Sequence, residues 1–112
     1  MKVAFISGPL RASTQQGIED NIHRAEAAAL RAWLDGYAVI CPHANTKFAD
    51  GSSSDAMWLE GHLAILRRCD VIVMLPDWED SLGAIAEHDA AIAAGLEVIY
   101  EVRPSRVEAP NV

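Results

Sequence analysis

Three short polar segments follow apolar runs in this chain and hold most of the residues able to do chemistry. They are Ser7-Gly8-Pro9-Leu10-Arg11, Pro42-His43-Ala44-Asn45-Thr46 and Pro76-Asp77-Trp78-Glu79-Asp80-Ser81. Gly8-Pro9 permits a tight turn that brings backbone close to a ligand, or simply ends a strand. Arg11 can grip a phosphate or carboxylate through a forked pair of hydrogen bonds, or stay a solvated surface residue. Ser81 is placed to cap a helix whose first turn is Leu82-Gly83-Ala84. The free N–H groups and partial positive charge of a helix start form a ready anion site. Gly83 weakens that helix, which points to close approach of a ligand or to packing. Trp78 is a loop aromatic that can stack on a flat ring or close over the core.

Glu87, in the second turn of the same helix, is the strongest single candidate for a functional residue. On a helical wheel Ile85, Ile92 and Leu96 share one face, and Glu87 falls on the other beside Ala90, Ala91 and Ala94. That position suits a solvated glutamate. It also suits a helix packed on a neighbouring subunit, where a glutamate needs a job. His43, His62 and His88 are scattered, and Cys41 and Cys69 lack metal-ligand spacing, so no metal and no resident cofactor are expected. Glu87 and His88 are adjacent, which excludes the His-Glu-x-x-His zinc motif. The phosphate-binding Gly-x-x-x-x-Gly-Lys-Ser/Thr loop and the dinucleotide Gly-x-Gly-x-x-Gly turn are both absent.

The elements that must position these residues alternate. Apolar runs at Val3–Ser7, Tyr37–Cys41, Val71–Leu75 and Val98–Val102 read as strands. Helical spacing covers Gly17–Asp35, with Ile22, Ala25, Ala29, Leu30, Trp33 and Leu34, then Ala56–Arg68 and Leu82–Leu96. His43–Asp55 reads as a polar loop with a flexible Asp50-Gly51-Ser52-Ser53-Ser54 stretch. The order β-α-β-α-β-α-β with short connections predicts a small, four-stranded parallel sheet of the flavodoxin- or Rossmann-like α/β kind, helices on both faces. In such sheets ligands bind beyond the carboxyl ends of the strands. His43, Asn45 and Asp77 join the candidate binding residues on that ground.

At 112 residues the chain is one domain, read over residues 1–102, with a flexible or partner-docked tail over 103–112. It is 51% hydrophobic, carries a net charge of −7 and has a pI of about 4.9. That acidity disfavours a nucleic-acid polymer as partner but leaves room for a single nucleotide. The N-terminal apolar run is too short for a signal peptide, and no run is long enough for a membrane span. A cytoplasmic location and buried free thiols at Cys41 and Cys69 are expected. A four-stranded open sheet has two edges to cover, so a homo-oligomer is expected too.

Three pieces together carry a family likeness: the strand followed by Ser7-Gly8-Pro9; Cys69-Asp70-Val71-Ile72-Val73; and Trp78-x-x-Ser81-x-Gly83-Ala84-x-x-Glu87 followed by Ala91 and Gly95. Over Val3 to about Tyr100 the chain resembles the nucleoside 2-deoxyribosyltransferase-like superfamily. It comes nearest a bacterial and phage branch related to the deoxynucleoside 5′-monophosphate N-glycosidases. The resemblance implies that Glu87 is a nucleophile toward C1′ of the sugar, giving a glycosyl-enzyme that water or a second base resolves. It implies that Ser81 and Gly83 hold the 5′ end, that Arg11 is a first-loop arginine of the monophosphate glycosidases, and that Gly8 and Pro9 run under the nucleoside. His62 stands where such proteins usually carry an aspartate, eight residues before Asp70. A histidine there can donate a proton to the leaving base, or mark a chain that binds without cleaving. The expected activity is therefore cleavage or exchange of the N-glycosidic bond of a nucleoside or its 5′-monophosphate. A nucleotide-binding or sensing module without catalysis is the alternative, and a purely structural domain the third reading.

Overall fold

Each apolar run forms a strand, and each long helix begins at a side chain suited to begin it. The computed structural model describes residues 1–45 and 54–102. Strands β1 (Val3–Ser7), β2 (Ala38–Ile40), β3 (Val71–Met74) and β4 (Glu97–Tyr100) are all parallel, in the order β2-β1-β3-β4. This is the expected small parallel α/β sheet. Helix α1 (Gln15–Leu34) starts before Gly17 because Thr14 caps it, its hydroxyl accepting the Gly17 N–H at 3.0 Å. Ser54 caps α3 (Asp55–Leu66) through the Met57 N–H. Ser81 caps α4 (Leu82–Ala94), accepting the Ala84 N–H at 3.2 Å, and Gly95 ends that helix in the left-handed region at φ +78.

The stretch read as a loop from His43 onward starts instead with a short helix, α2 (Pro42–Asn45). Proline suits a first helical position, where no intrahelical N–H bond is lost and its fixed φ is already helical. Residues 46–53, with most of the expected flexible stretch, and the tail 103–112 lie outside the described residues.

Alternation along the strands assigns the two faces. Ala4 and Ile6 of β1, with Val71 and Val73 of β3, pack on Ala25, Ala28 and Ala32 of α1. Phe5, Ile72 and Met74 point the other way, onto Leu66 of α3 and Ala84 and Ala91 of α4. The chain moves from β1 out to β2, then returns past β1 to β3. That reversal puts α1 and α4 on opposite faces and opens a crevice at the carboxyl ends of β1 and β3. Asp70 fixes the other end: its Oδ2 accepts the Val3 N–H at 2.8 Å and ties the start of β1 beside β3.

Two expectations are corrected. The wheel of α4 is turned: Ala84, Glu87 and Ala91 are buried, Leu82, Ile92 and Ala94 are exposed, and Leu96 beyond its end still packs on the core. The sheet beneath already supplies Phe5, Ile72 and Met74, so the helix seats small residues inward and turns bulk outward. Cys41 and Cys69 are free but only half-buried. Among the described residues no helix is long and apolar enough to cross a membrane.

Gly8 and Gly61 make opposite predictions. A Cβ on Gly8 would meet Leu75 Cβ at 2.7 Å, whereas one on Gly61, within α3, meets nothing within 4 Å. In urea titration Gly8→Ala is expected to lose about 1–3 kcal/mol of stability. Gly61→Ala is expected to gain about 0.5–1 kcal/mol. Equal effects at the two positions would contradict this account of the packing.

Candidate active site

Ser7, the last residue of β1, lies on Phe5's side of the strand and therefore faces α4. Glu87 lies on the inward face of α4, in register with Ala84 and Ala91. The two meet where the strand ends: Ser7 Oγ donates to Glu87 Oε1 at 2.6 Å, with Ser7 fully buried and Glu87 8% exposed. Burial pushes the Glu87 carboxyl from 4.5 up to about 7. The Ser7 hydroxyl, which favours the ionised form by donating to it, opposes part of that rise. Near neutral pH this group therefore divides between acid and carboxylate, the state expected of a group that does chemistry.

Above the pair lies a cleft of about 760 Å³. Gly8, Pro9, Leu10 and Arg11 of the loop after β1 form one side, with Ile18, Asn21, Ile22 and Arg24 of α1. Across from them stand the α4 start, with Asp80, Ser81, Leu82 and Gly83, and the preceding Pro76 and Asp77. Asp77 adopts φ +67, the one non-glycine residue in the left-handed region among those described. Pro42 and His43 of α2 and Ala56, Trp58, Leu59 and His62 of α3 complete the lining.

The two histidines have matching defects. His43 is buried, and its Nε2 donates to the Pro9 carbonyl at 3.0 Å, since a carbonyl can only accept. Burial lowers its basicity, which leaves a neutral ring with a bare Nδ1. His62 is half-buried, and burial, then repulsion from His43, lowers its basicity as well. Neither His43 Nδ1 nor His62 Nε2 has a hydrogen-bond partner, an unfavourable state for buried polar atoms.

Of the residues singled out in the sequence, Gly8, Pro9, Arg11, His43, His62, Asp77, Ser81, Gly83 and Glu87 are brought to this one cleft. Trp78 is not. Its ring stacks on His88 at 4.3 Å, and the His88 Nε2 is bonded to the Tyr100 hydroxyl at 2.7 Å, outside the cleft lining. The loop it sits on turns through a short 3₁₀ segment, Trp78–Asp80, which directs the indole toward β4. The side chain of Asn45 lies outside the described residues. Among those described, no group of three or more His, Cys, Asp or Glu is arranged to hold a metal ion.

The sequence reading missed Ser7 as a partner of Glu87, and Asn21, Arg24 and Trp58 as lining residues. Ser7 was visible through its shared parity with Phe5. Asn21 was visible as a polar residue on the inward side of α1, one turn before Ala25. It is 7% exposed and donates from Nδ2 to the Leu10 carbonyl at 3.0 Å.

The burial of Glu87 has a thermodynamic signature. Between pH 4.5 and about 7 the folded state keeps a proton that the unfolded chain releases, so this group's support for the fold fades as pH rises through 7. Glu87→Gln cannot lose that proton. Its stability advantage over wild type is expected to grow by roughly 2–3 kcal/mol between pH 5 and pH 8 in urea titrations. An advantage independent of pH would mean that the carboxyl is not held protonated.

Residues 1–100 match the family described as a domain of unknown function, DUF4406. Among solved structures, the chain is similar to a 2-deoxyribosyltransferase from the psychrotolerant bacterium Bacillus psychrosaccharolyticus. The TM-score is 0.62 at 18% identity, covering 91% of this chain and 77% of that one. That protein is described as a biocatalyst for the synthesis of antiviral and antitumoral nucleosides. No curated protein matches. The likeness in structure establishes a common fold, and the match over residues 1–100 establishes kinship: the chain belongs to the DUF4406 family.

Proposed function

We propose that this protein cleaves or exchanges the N-glycosidic bond of a deoxynucleoside or its 5′-monophosphate, with Glu87 as the nucleophile. The observation that carries this reading is the buried Ser7–Glu87 pair at the floor of a cleft, on a fold shared with a 2-deoxyribosyltransferase. The Glu87 carboxylate attacks C1′, and the base departs with the electron pair of the broken C–N bond. His62 supplies the proton that neutralises the base. Water or a second base then attacks C1′ and frees the carboxylate. Gly8 and Pro9 run beneath the sugar. Ser81, Gly83 and Arg11 hold the 5′ end, where the free N–H groups of the α4 start favour phosphate. On this reading the chain stands nearest the branch related to the monophosphate N-glycosidases.

The same reading includes a homo-oligomer. Met57, Ile65, Leu82 and Ile92 are exposed on α3 and α4, which pack side by side, and a second copy would cover them. Sedimentation at the 12.1 kDa mass of one chain would remove this part.

A binding module on the same fold is the second reading. The observation favouring it is that burial holds both cleft histidines toward neutrality, which thins the supply of protons for a leaving base. It predicts thermal stabilisation by nucleotides without turnover, about 2.7 kcal/mol at a hundredfold excess over Kd.

The deciding measurement is chromatographic detection of free base after incubation with deoxynucleosides and their 5′-monophosphates. Glu87→Ala is expected to lower release on the order of 10⁴-fold or more. Turnover needs Glu87 ionised and His62 charged at once. The optimum therefore falls between the lowered value of His62, under 6.5, and the value of about 7 for Glu87. His62→Gln, slower throughout, is expected to lose the alkaline fall and rise through about pH 7 to a plateau. Base release that survives Glu87→Ala intact would refute the assigned nucleophile.

A further inference from the structure

Arg24 is a cation on the cleft wall of a strongly acidic chain. The protein carries 16 acidic residues against 9 lysines and arginines, and Lys2 and Arg31 are paired with Glu97 and Glu101. Arg24 is instead bonded to a neutral acceptor, the Oδ1 of Asn21. Asn21 is itself locked: it is almost fully buried, and its amide N–H is committed to the Leu10 carbonyl, so Oδ1 has to face Arg24. A helical side chain leans toward the helix start, which carries the Arg24 guanidinium up α1 toward the strand ends. Both residues line the cleft. A guanidinium has five donors in a rigid fork, and Asn21 can satisfy only part of that fork.

The α4 start already offers one anion site, at Ser81 and Gly83. α1 and α4 pack on opposite faces of the sheet, so Arg24 meets a ligand from the other side of the crevice. A phosphoryl group seated on the α4 start leaves the Arg24 fork open. The net charge of −7 turns away a polyanionic chain but not a small, doubly charged ligand.

We propose that Arg24, steered by Asn21, forms a second phosphate subsite on the α1 wall, and that the preferred ligands are nucleotides bearing two phosphoryl groups. The inference rests on reading the cleft as a nucleotide site, and it names the substrate class for that site.

Calorimetric titration tests it without requiring turnover. The probes are deoxyadenosine and deoxycytidine, each as nucleoside, 5′-monophosphate, 5′-diphosphate and 3′,5′-bisphosphate, at one fixed salt concentration. Wild type is expected to bind at least one doubly phosphorylated form roughly ten- to a hundredfold more tightly than the monophosphate, the gain typical of a charge-assisted contact. The form preferred, diphosphate or bisphosphate, tells which end of the nucleotide reaches Arg24. In Arg24→Gln, an exposed substitution that spares the fold, the margin is expected to vanish while monophosphate affinity changes by no more than about twofold. Monophosphate binding with no gain from a second phosphate overturns this inference alone. So does an Arg24→Gln variant that weakens every ligand equally. Failure of every nucleotide to bind overturns the nucleotide reading along with it.

Discussion

A carboxyl group buried against a hydroxyl at the end of β1 is the constraint around which this small domain is arranged. Glu87 can be inward only because α4 carries alanine on either side of it along the same face. Those alanines fit because the sheet below supplies the bulk in Phe5, Ile72 and Met74. Ser7 reaches Glu87 because strand parity sets it on that face, and because β1 stops there instead of running on. The switch in chain direction at β1 then puts the pair under a cleft instead of under another helix. Without Ser7 the buried acid loses its donor, and without the switch in chain direction it loses its opening.

The walls of the cleft divide the work. The floor is a titrating acid and its donor. The α2–α3 side contributes two imidazoles kept from protonating together. The α1 side contributes a steered guanidinium, and the α4 side the unpaired amides of a helix start. Trp78, His88 and Tyr100 stack outside the cleft and brace the loop leading into α4 against β4. Acid and dipole thus both come from α4, the imidazoles from α2 and α3, and the cation from α1.

Much of the architecture was legible because strand runs in a parallel sheet are continuous and apolar, and the punctuation at Gly8-Pro9, Gly36, Ser81 and Gly95 is strong. Thr14 and Ser54 were less audible, and the helix boundaries moved with them. The face of α4 was misread for a specific reason: periodicity weighs large residues, whereas a helix lying on a bulky sheet buries its small ones. Trp78 illustrates the complementary limit. Sequence locates it on a strand-end loop, but a 3₁₀ turn of three residues decides which way it points. The unpartnered nitrogens of His43 and His62 depend on three-dimensional surroundings and carry no local signal. Asp70, which supported the family likeness, turns out to be an anchor for the Val3 amide.

The closeness of Gly8 to Leu75 has a consequence for how such a site can diversify. On the proposed reading a ligand lies over main chain at Gly8, where packing against Leu75 leaves no room for a side chain. Single replacements at the walls, at Trp58, Leu59 or Arg24, can retune what the cleft accepts while the platform below stays constant. On that reading, related chains are free to change what the cleft accepts while the Gly8 platform stays fixed.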